Sequence, residues 1–196
     1  TSVFNQLTGL KQQVGNYPGI TVEKKIGYCK LNENTKATIL DLPGTYSLNA
    51  SSIDENVVIE LLLNRNDPNF PEVAVVVTEV ENLKRNLLLF TQIKDLEIPT
   101  ILAINMSDRM DFKGISLDIP HLEKELNTKI ALISSRKNIG LDNLKELIAN
   151  YQELSTKPCL NASSIDPAYF DGLRNAFPKE LLYKLWLVIT QDVNFG

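Results

Sequence analysis

The stretch Ala37–Ser47, ATILDLPGTYS, decides the fold that we predict for this chain. Its first four residues are a short, mainly apolar run of the kind that forms a buried strand. Asp41 follows this run directly, and Gly44 stands three residues further on. A carboxylate at the end of a strand can hold a water of a phosphate-bound magnesium ion, and a glycine lets its own N–H approach a terminal phosphate closely. Because D-x-x-G is common by chance, the prediction depends on partner motifs elsewhere in the chain.

The second half of the chain alternates apolar runs with helical patterns. Val73–Val77 is an unbroken apolar run made mostly of β-branched residues, which predicts a strand buried on both faces. Thr100–Ile104 and Ile130–Ile133 are the next two predicted strands. Strands that alternate with helices form right-handed βαβ units and a parallel, doubly wound sheet. We therefore predict an α/β fold with a mostly parallel sheet and helices on both of its faces.

The residues before Asp41 predict a helix, a loop and a hairpin. Thr1–Leu10 has one apolar face and a glycine stop, whereas Lys11–Val22 contains the glycines and proline of a mobile loop. Glu23–Lys30 and Thr35–Leu40 flank a polar turn. This pattern predicts one antiparallel hairpin, with its polar first strand at the edge of the sheet.

Helical patterns fill the intervals between the predicted strands. They cover Asp54–Leu63, Asn82–Leu96, Pro120–Leu126 and Leu141–Leu154. The α/β part is therefore expected to span residues 1–154.

A small α-helical domain is predicted over residues 165–196, after a polar linker at 155–164. Asp166 is placed to cap a helix that has Pro167 at its first position. A second helix is expected to begin near Pro178. Its predicted buried side chains are Leu182, Leu185, Trp186 and Ile189.

The sequence NMSD, Asn105–Asp108, follows the strand TILAI and predicts guanine recognition. The carboxylate of Asp108 can accept hydrogen bonds from the ring N–H and the exocyclic amine of guanine. Adenine lacks that pair of donors, and each lost hydrogen bond costs about 1–3 kcal/mol. Asn105 can brace the loop and meet the base.

Two further segments extend this predicted site. Ser134-Ser135-Arg136, after the next strand, can offer a backbone N–H to the guanine carbonyl. Thr21 lies in the predicted mobile loop, where a hydroxyl can ligate magnesium while a γ-phosphate is present and release it afterwards. Because ligands of open α/β sheets bind beyond the carboxyl ends of the strands, we expect these groups to meet on one rim with Asp41.

Composition argues against several classes of protein. The chain has 196 residues, 43% of them hydrophobic, a net charge of −4 and no Lys/Arg run, so we expect no nucleic-acid partner. It has no signal peptide and no apolar run near the roughly 18 residues of a membrane span, so we expect a soluble piece. Cys29 and Cys159 form no metal-ligand pattern and are predicted to be reduced thiols in a cytosolic setting. His121 is predicted to be a surface residue.

With these residues in place, the chain resembles the amino-terminal G domain of ferrous-iron transport protein B, a family of bacterial inner-membrane iron transporters. The matching stretches are FNQLTG (Phe4–Gly9), VGNYPGITVEKK (Val14–Lys25), DLPGTYSL (Asp41–Leu48), NLKRNL (Asn82–Leu87) and NMSD (Asn105–Asp108). DLPGTYSL separates this family from most other small GTPases. The resemblance covers nearly the whole chain.

The resemblance implies a P-loop GTPase-like sheet, GTP binding and hydrolysis, and Mg²⁺ as a cofactor. It implies that residues 165–196 begin a helical domain that couples the G domain to a transmembrane ferrous-iron permease. The expected location is the cytoplasmic face of the bacterial inner membrane, with a homo-oligomer as a further option. Members that use K⁺ do so through an Asn of the phosphate loop, so the need for K⁺ stays open here.

The implied roles fall on twelve residues. The nucleotide contacts are Thr1, Ser2, Asp41, Gly44, Asn105, Met106, Asp108, Ser134, Ser135 and Arg136, the magnesium ligands are Thr1, Thr21 and Asp41, and the catalytic positions are Thr21, Gly44 and Thr45. Thr45 stands where many GTPases carry the glutamine that positions water. We therefore expect slow unaided hydrolysis.

The resemblance also places Thr1 at the end of a glycine-rich phosphate loop that follows a central strand. That strand would lie between the strand ending at Asp41 and Val73–Val77. We expect the native protein to continue before Thr1 and to carry this strand, the phosphate cradle and its lysine. Two other functions remain open from the sequence: a GTPase of ribosome assembly or tRNA modification, and an interaction module that has lost its nucleotide site.

Overall fold

The computed structural model of the protein describes residues 1–9, 12–17, 22–48, 52–159 and 166–191. The strands are β1 (Gln12–Asn16), β2 (Glu23–Lys30), β3 (Lys36–Asp41), β4 (Ala74–Glu79), β5 (Thr100–Asn105) and β6 (Ile130–Leu132). The helices are α1 (Ser2–Thr8), α2 (Ile53–Leu63), α3 (Leu83–Asp95), α4 (Met110–Lys113), α5 (Ile119–Leu126), α6 (Leu141–Ala149), α7 (Pro167–Ala176) and α8 (Leu182–Gln191). Among the helices of these ranges, none combines the length and apolar character needed to cross a bilayer.

Strands β1, β2 and β3 form an antiparallel sheet in that order. The register of β2 against β3 runs from Lys25 opposite Asp41 to Lys30 opposite Lys36. Asn32 closes their turn, since its Oδ1 accepts from two following backbone N–H groups at 3.0 and 2.8 Å. This register places Asp41 at the carboxyl end of β3.

Two sequence predictions for this sheet are wrong. The predicted loop over residues 11–22 contains β1, which pairs with β2 from Gln12–Gly27 to Asn16–Glu23. As a result β2 is the central strand of its sheet, and β1 takes the edge. The glycine and proline in this segment favoured a loop locally, whereas the pairing with β2 is a contact between separate segments.

Strands β4, β5 and β6 form a parallel sheet, again in chain order. Residues of β5 alternate between two hydrophobic clusters, with Leu102 and Ile104 on one face and Ile101 and Ala103 on the other. Helices α2 and α3 pack on the first face, and α1 and α6 pack on the second. The α/β class, the parallel sheet and the helices on both faces are therefore confirmed.

The prediction that Val73–Val77 is buried on both faces is wrong for β4. Val76 is 5% exposed, but Val77 is 44% exposed. Strand β5 is instead the one with every residue buried. Within the described residues β4 pairs on one side only, with β5.

Helix α8 docks on the α/β core, and α7 packs against α8 through the rings of Phe170 and Trp186. Asp166 caps α7 as predicted, accepting from the Tyr169 N–H at 3.1 Å, and Leu187 of α8 is 2% exposed in the cluster of α2 and α3. The predicted burial of Trp186 and Ile189 is wrong, because these side chains are 41% and 50% exposed.

The start of the predicted linker is held against the core. Lys94 of α3 is fully buried, and its Nζ donates to the Ser155 carbonyl at 2.7 Å. The Cys159 N–H donates to Asp95 Oδ1, also at 2.7 Å. Burial lowers the pKa of Lys94 from 10.5. Residues 160–164 of the predicted linker lie outside the described residues.

Candidate nucleotide site

Asn105 joins the end of β5 to the loop after β6 through two hydrogen bonds. Its Nδ2 donates to Ser135 Oγ at 3.1 Å, and the Ser135 N–H donates to Asn105 Oδ1 at 3.0 Å. Both residues are buried, at 8% and 7% exposed. A further bond of 3.0 Å runs from the Ser107 N–H to the Ile133 carbonyl. The two loops are thus fixed to one another, and Asn105 is used as a brace.

Asp108 lies in the short turn Ser107–Arg109, directly after this brace. The turn begins at Met106, whose φ of 61° and ψ of 31° are left-handed and uncommon outside glycine. The Asp108 side chain is 13% exposed. Mainly because Ser134 hydrogen-bonds it, the pKa of Asp108 lies below its usual 3.8. The group is an ionised acceptor at neutral pH.

The loop after β6 is closed on itself. Ser134 and Ile139 exchange both backbone hydrogen bonds, at 3.0 and 3.1 Å. The Lys137 N–H donates to Ser134 Oγ at 3.3 Å, and Gly140, with φ of 71°, leads into α6. Arg136 lies at the exposed tip of the loop. The loop therefore presents two ordered serines beside Asp108.

The predicted metal ligands Thr1 and Asp41 are in contact. Thr1 Oγ1 donates to Asp41 Oδ2 at 2.9 Å, across 40 positions of the chain. Helix α1 sets this contact, because its buried Val3 and Leu7 pack in the cluster of β5 and α6. Ser2 is the exposed first residue of α1. Thr21, the third predicted ligand, lies outside the described residues.

The D-x-x-G loop places Gly44 in the open and turns Thr45 inward. Among the residues that the structure describes, and apart from its chain neighbours, no atom lies within 4 Å of the position that a Gly44 Cβ would take. Thr45 Oγ1 is 2.6 Å from the Ser47 carbonyl and 3.2 Å from Glu55 Oε1. The hydroxyl is thus engaged within its own loop and with α2, whereas the backbone at Gly44 is accessible.

Helix α3 holds the far end of this loop. The guanidinium of Arg85 lies 3.9 Å from the centre of the Tyr46 ring, in the geometry of a cation–π contact. The Leu48 N–H donates to Gln92 Oε1 at 2.8 Å. Gln92 is 8% exposed and lies beside Tyr183 of α8. One side chain of α3 therefore lies between the D-x-x-G loop and the helical lobe.

Several of these contacts were not predicted from the sequence. Lys137, whose Nζ is 3.5 Å from Asp108 Oδ2, carries no spacing pattern beyond being a cation after Ser-Ser-Arg. Arg85 lies in the stretch NLKRNL that contributes to the family resemblance, which could have drawn attention to it. Gln92 follows no recognisable motif, because its role depends on two partners that are 44 and 91 positions away.

A family model described as Ferrous iron transport protein B matches residues 1–148. The chain belongs to the ferrous iron transport protein B family. The predicted resemblance is confirmed, and the chain corresponds to the family's amino-terminal G domain with the helices that follow it. Membership also makes the ribosome- or tRNA-associated class a wrong alternative.

Relatives of this ferrous iron transport protein B chain include Fe(2+) transporter FeoB of Leptospira biflexa, 40% identical over 149 residues, and that of Escherichia coli strain K12, 36% identical over 156 residues. The matches cover 76% and 78% of this chain but only 21% and 20% of those proteins. The chain thus spans about a fifth of the length of the curated relatives it matches.

Solved structures similar to this family member include the T. maritima FeoB cytosolic domain in GMPPNP form, with a TM-score of 0.84 and 31% identity over 99% of this chain and 77% of that one. The T. maritima FeoB G domain matches with a TM-score of 0.69 and 37% identity, over 78% and 90%. An S. thermophilus NFeoB mutant bound to GDP matches at 0.81 and 28%, over 98% and 75%.

Proposed function

We propose that this chain is a guanine-nucleotide switch that binds GTP and GDP, hydrolyses GTP slowly, and regulates a bacterial ferrous iron transporter. The observation that carries the proposal is the pairing of Asn105 with Ser135, which holds Asp108 beside two buried serines. An ionised, partly enclosed carboxylate can accept from the two N–H donors on the Watson–Crick edge of guanine. The similar structures of a T. maritima FeoB cytosolic domain in GMPPNP form and of an S. thermophilus NFeoB mutant bound to GDP support this ligand class.

The base contacts divide between a side chain and the backbone. Asp108 accepts from the ring N–H and the exocyclic amine, and Asn105 keeps the loop in place. Backbone N–H groups of Ser134, Ser135 and Arg136 close over the guanine carbonyl. Met106 packs partly against the core of α2 and α3, so its contact with the nucleotide is made by the strained backbone next to the base.

The residues at the end of β3 fit a magnesium ion. Mg²⁺ prefers one or two protein oxygens together with phosphate oxygens and water, and the hydroxyl of Thr1 and the carboxylate of Asp41 lie 2.9 Å apart. Thr1 and Thr21 are proposed as direct ligands, and Asp41 as a ligand through water. The ion would neutralise charge on the phosphates, and Ser2 and Gly44 would offer backbone N–H groups to them.

Slow hydrolysis follows from the position of Thr45. Its hydroxyl is engaged with Ser47 and Glu55, and it stands where many GTPases carry the glutamine that positions water. When the γ-phosphate leaves, Thr21 and Gly44 lose their partner and both loops relax. We propose that this motion reaches the helical lobe and then the protein's own transmembrane permease at the cytoplasmic face of the inner membrane.

The base assignment is tested by Asp108→Asn in the full-length protein as its gene encodes it. An amide replaces one of the two carboxylate acceptors with an N–H donor, which suits the 2-carbonyl of xanthine. Guanine loses one hydrogen bond to a charged acceptor, worth about 1.5–3 kcal/mol, and its exocyclic amine then faces another donor. We expect GTP affinity to fall at least about a hundredfold and XTP affinity to rise. Asp111→Asn makes the same change at an exposed residue of α4 and should leave both affinities unchanged.

Calorimetric titration with GDP and Mg²⁺ distinguishes the proposed nucleotide switch from the remaining alternative, an interaction module without a nucleotide site. Retained GTP affinity in the Asp108→Asn protein would contradict the base contact while leaving nucleotide binding intact. If the unmodified full-length protein shows no heat of GDP binding, the chain is an interaction module that has kept the fold without the site. Hydrolysis is followed as phosphate release, with and without K⁺.

A further inference from the structure

The carboxylate that we propose as the guanine acceptor is already partnered by a lysine. Nζ of Lys137 lies 3.5 Å from Asp108 Oδ2, and Ser134 hydrogen-bonds the same carboxylate. We propose that Lys137 is an affinity-determining residue of this site, which competes with the guanine edge for Asp108 and promotes nucleotide release. The inference rests on the proposed function and adds to it a residue that sets how tightly the base is held.

The competition follows from the hydrogen-bonding capacity of the carboxylate. Guanine directs two parallel N–H donors at both oxygens of an acidic side chain, so it requires Oδ2 as well as Oδ1. The ammonium of Lys137 occupies the region of Oδ2. Since the Asp108 side chain is only 13% exposed, a second donor cannot approach freely from another direction. The base therefore has to displace the lysine.

Lys137 is able to leave because it approaches from solvent. Its side chain is 52% exposed, whereas its partner is largely enclosed. Exposed ion pairs of this kind are worth little because water and salt screen them. The ion pair is thus strong enough to weaken nucleotide affinity by a few fold and too weak to abolish binding.

The side chain can be changed without disturbing the loop that carries it. Lys137 is tied down by its backbone, whose N–H donates to Ser134 Oγ at 3.3 Å, and any residue except proline keeps that bond. The neighbouring pair Ser134–Ile139 is also a backbone contact. Lys137→Met preserves the apolar stem and removes only the charge and its donors.

The test compares GDP dissociation constants of the full-length protein and its Lys137→Met variant. We expect GDP to bind about two- to fivefold more tightly to the variant and to dissociate more slowly, the range that an exposed ion pair allows. The ratio should approach one when ionic strength rises from about 0.05 M to about 0.5 M, because salt weakens the pair. Lys145→Met is the control, since Lys145 of α6 also pairs with a carboxylate, that of the fully exposed Asp142 at 3.4 Å, and takes no part in the proposed site.

A double-mutant cycle that combines Lys137→Met with Asp108→Asn, with XDP affinity as the measured quantity, isolates the interaction between these two side chains. In that background Lys137 has no carboxylate to engage, so Lys137→Met should leave XDP affinity unchanged. Unchanged or weaker GDP binding by the Lys137→Met protein overturns the inference and leaves the proposed function standing, provided that Asp108→Asn still lowers GTP affinity. Absence of GDP binding by the unmodified protein overturns both.

Discussion

Replacing Gly140 by alanine should be the most damaging single-methyl change near the base site. Gly140 has φ of 71° and stands between the loop after β6 and helix α6. A methyl group there would overlap the carbonyl oxygen of Leu132 and lie 3.1 Å from its carbon and 3.3 Å from the Ile133 Cα. All three atoms belong to backbone at the end of β6, which cannot rotate out of the way as a side chain would.

The expected loss of folding free energy has two parts, backbone conformation and steric overlap, and a comparison with Gly114 separates them. An L-residue in the left-handed region loses about 1–2 kcal/mol, partly offset by about 0.4–1 kcal/mol because alanine restricts the unfolded chain. Gly114 has nearly the same φ, 63°, but apart from its chain neighbours no atom of the described part of the chain lies within 4 Å of its missing Cβ. Gly114→Ala should therefore cost about 1 kcal/mol. Gly140→Ala adds the backbone overlap and should cost about 4 kcal/mol or more, the range of severe core disruptions.

Urea unfolding of both variants measures these free energies, and titration with GDP measures the affinity of the nucleotide site. Because residues 134–139 lead into Gly140, a displaced backbone also moves Ser134 and Ser135 away from Asp108. GDP affinity should fall in the Gly140→Ala protein and stay unchanged in the Gly114→Ala protein. Equal destabilisation of the two variants would refute the steric reasoning, since only the left-handed φ is common to both.

Three further predictions concern contacts that link the site to its surroundings. Gln92→Leu removes the acceptor of the Leu48 N–H and should lower the free energy of unfolding in urea by about 1–3 kcal/mol; no measurable loss would show that this bond adds nothing. The folded-state pKa of Asp108 lies below 3.8, so the ionised carboxylate stabilises the fold above pH 3.8, and this contribution is lost as pH falls through the folded-state pKa. Asp108→Asn should therefore make the free energy of unfolding depend less on pH in that acidic range. The same pH dependence in both proteins would contradict the pKa shift. Burial raises the pKa of Tyr183 from 10.0 to about 12, so its contribution to the free energy of unfolding is fully present below pH 10 and is lost as pH rises towards 12. The Tyr183→Phe protein should therefore lose less stability than the unmodified protein between these pH values. The same alkaline unfolding transition in both proteins would contradict this prediction.

The order of the strands and the longer helices after Val73 was predictable because each carries its own sequence pattern, whereas the short α4 was missed and α6 ends at Ala149 rather than Leu154. Strand β5 is a run of small and branched apolar residues, and α6 has its apolar residues on one face, so local sequence is sufficient. The motif Asn105–Asp108 was predictable for a related reason. Its residues are contiguous and follow directly after a strand, where the topology leaves only one rim for them.

Pairing and exposure were harder to predict, since they depend on residues that are distant in the chain. Strand β1 contains a glycine and little apolar character, and it exists because β2 offers a partner. Val77 and Trp186 resemble core residues by type, yet their exposed fractions depend on which elements pack beside them. Neither property is encoded within a short window of sequence.

By itself, the sequence determined the α/β class, the parallel order of β4, β5 and β6, and the residue types needed for a guanine site. Only the tertiary structure decided that Ser135 braces Asn105, that Lys137 contacts Asp108, and that a Cβ at Gly140 would strike β6. The physical reason is one of range. Periodicity and turn chemistry act over a few residues, whereas these contacts join side chains and backbone that meet only after separate strands and loops have packed together.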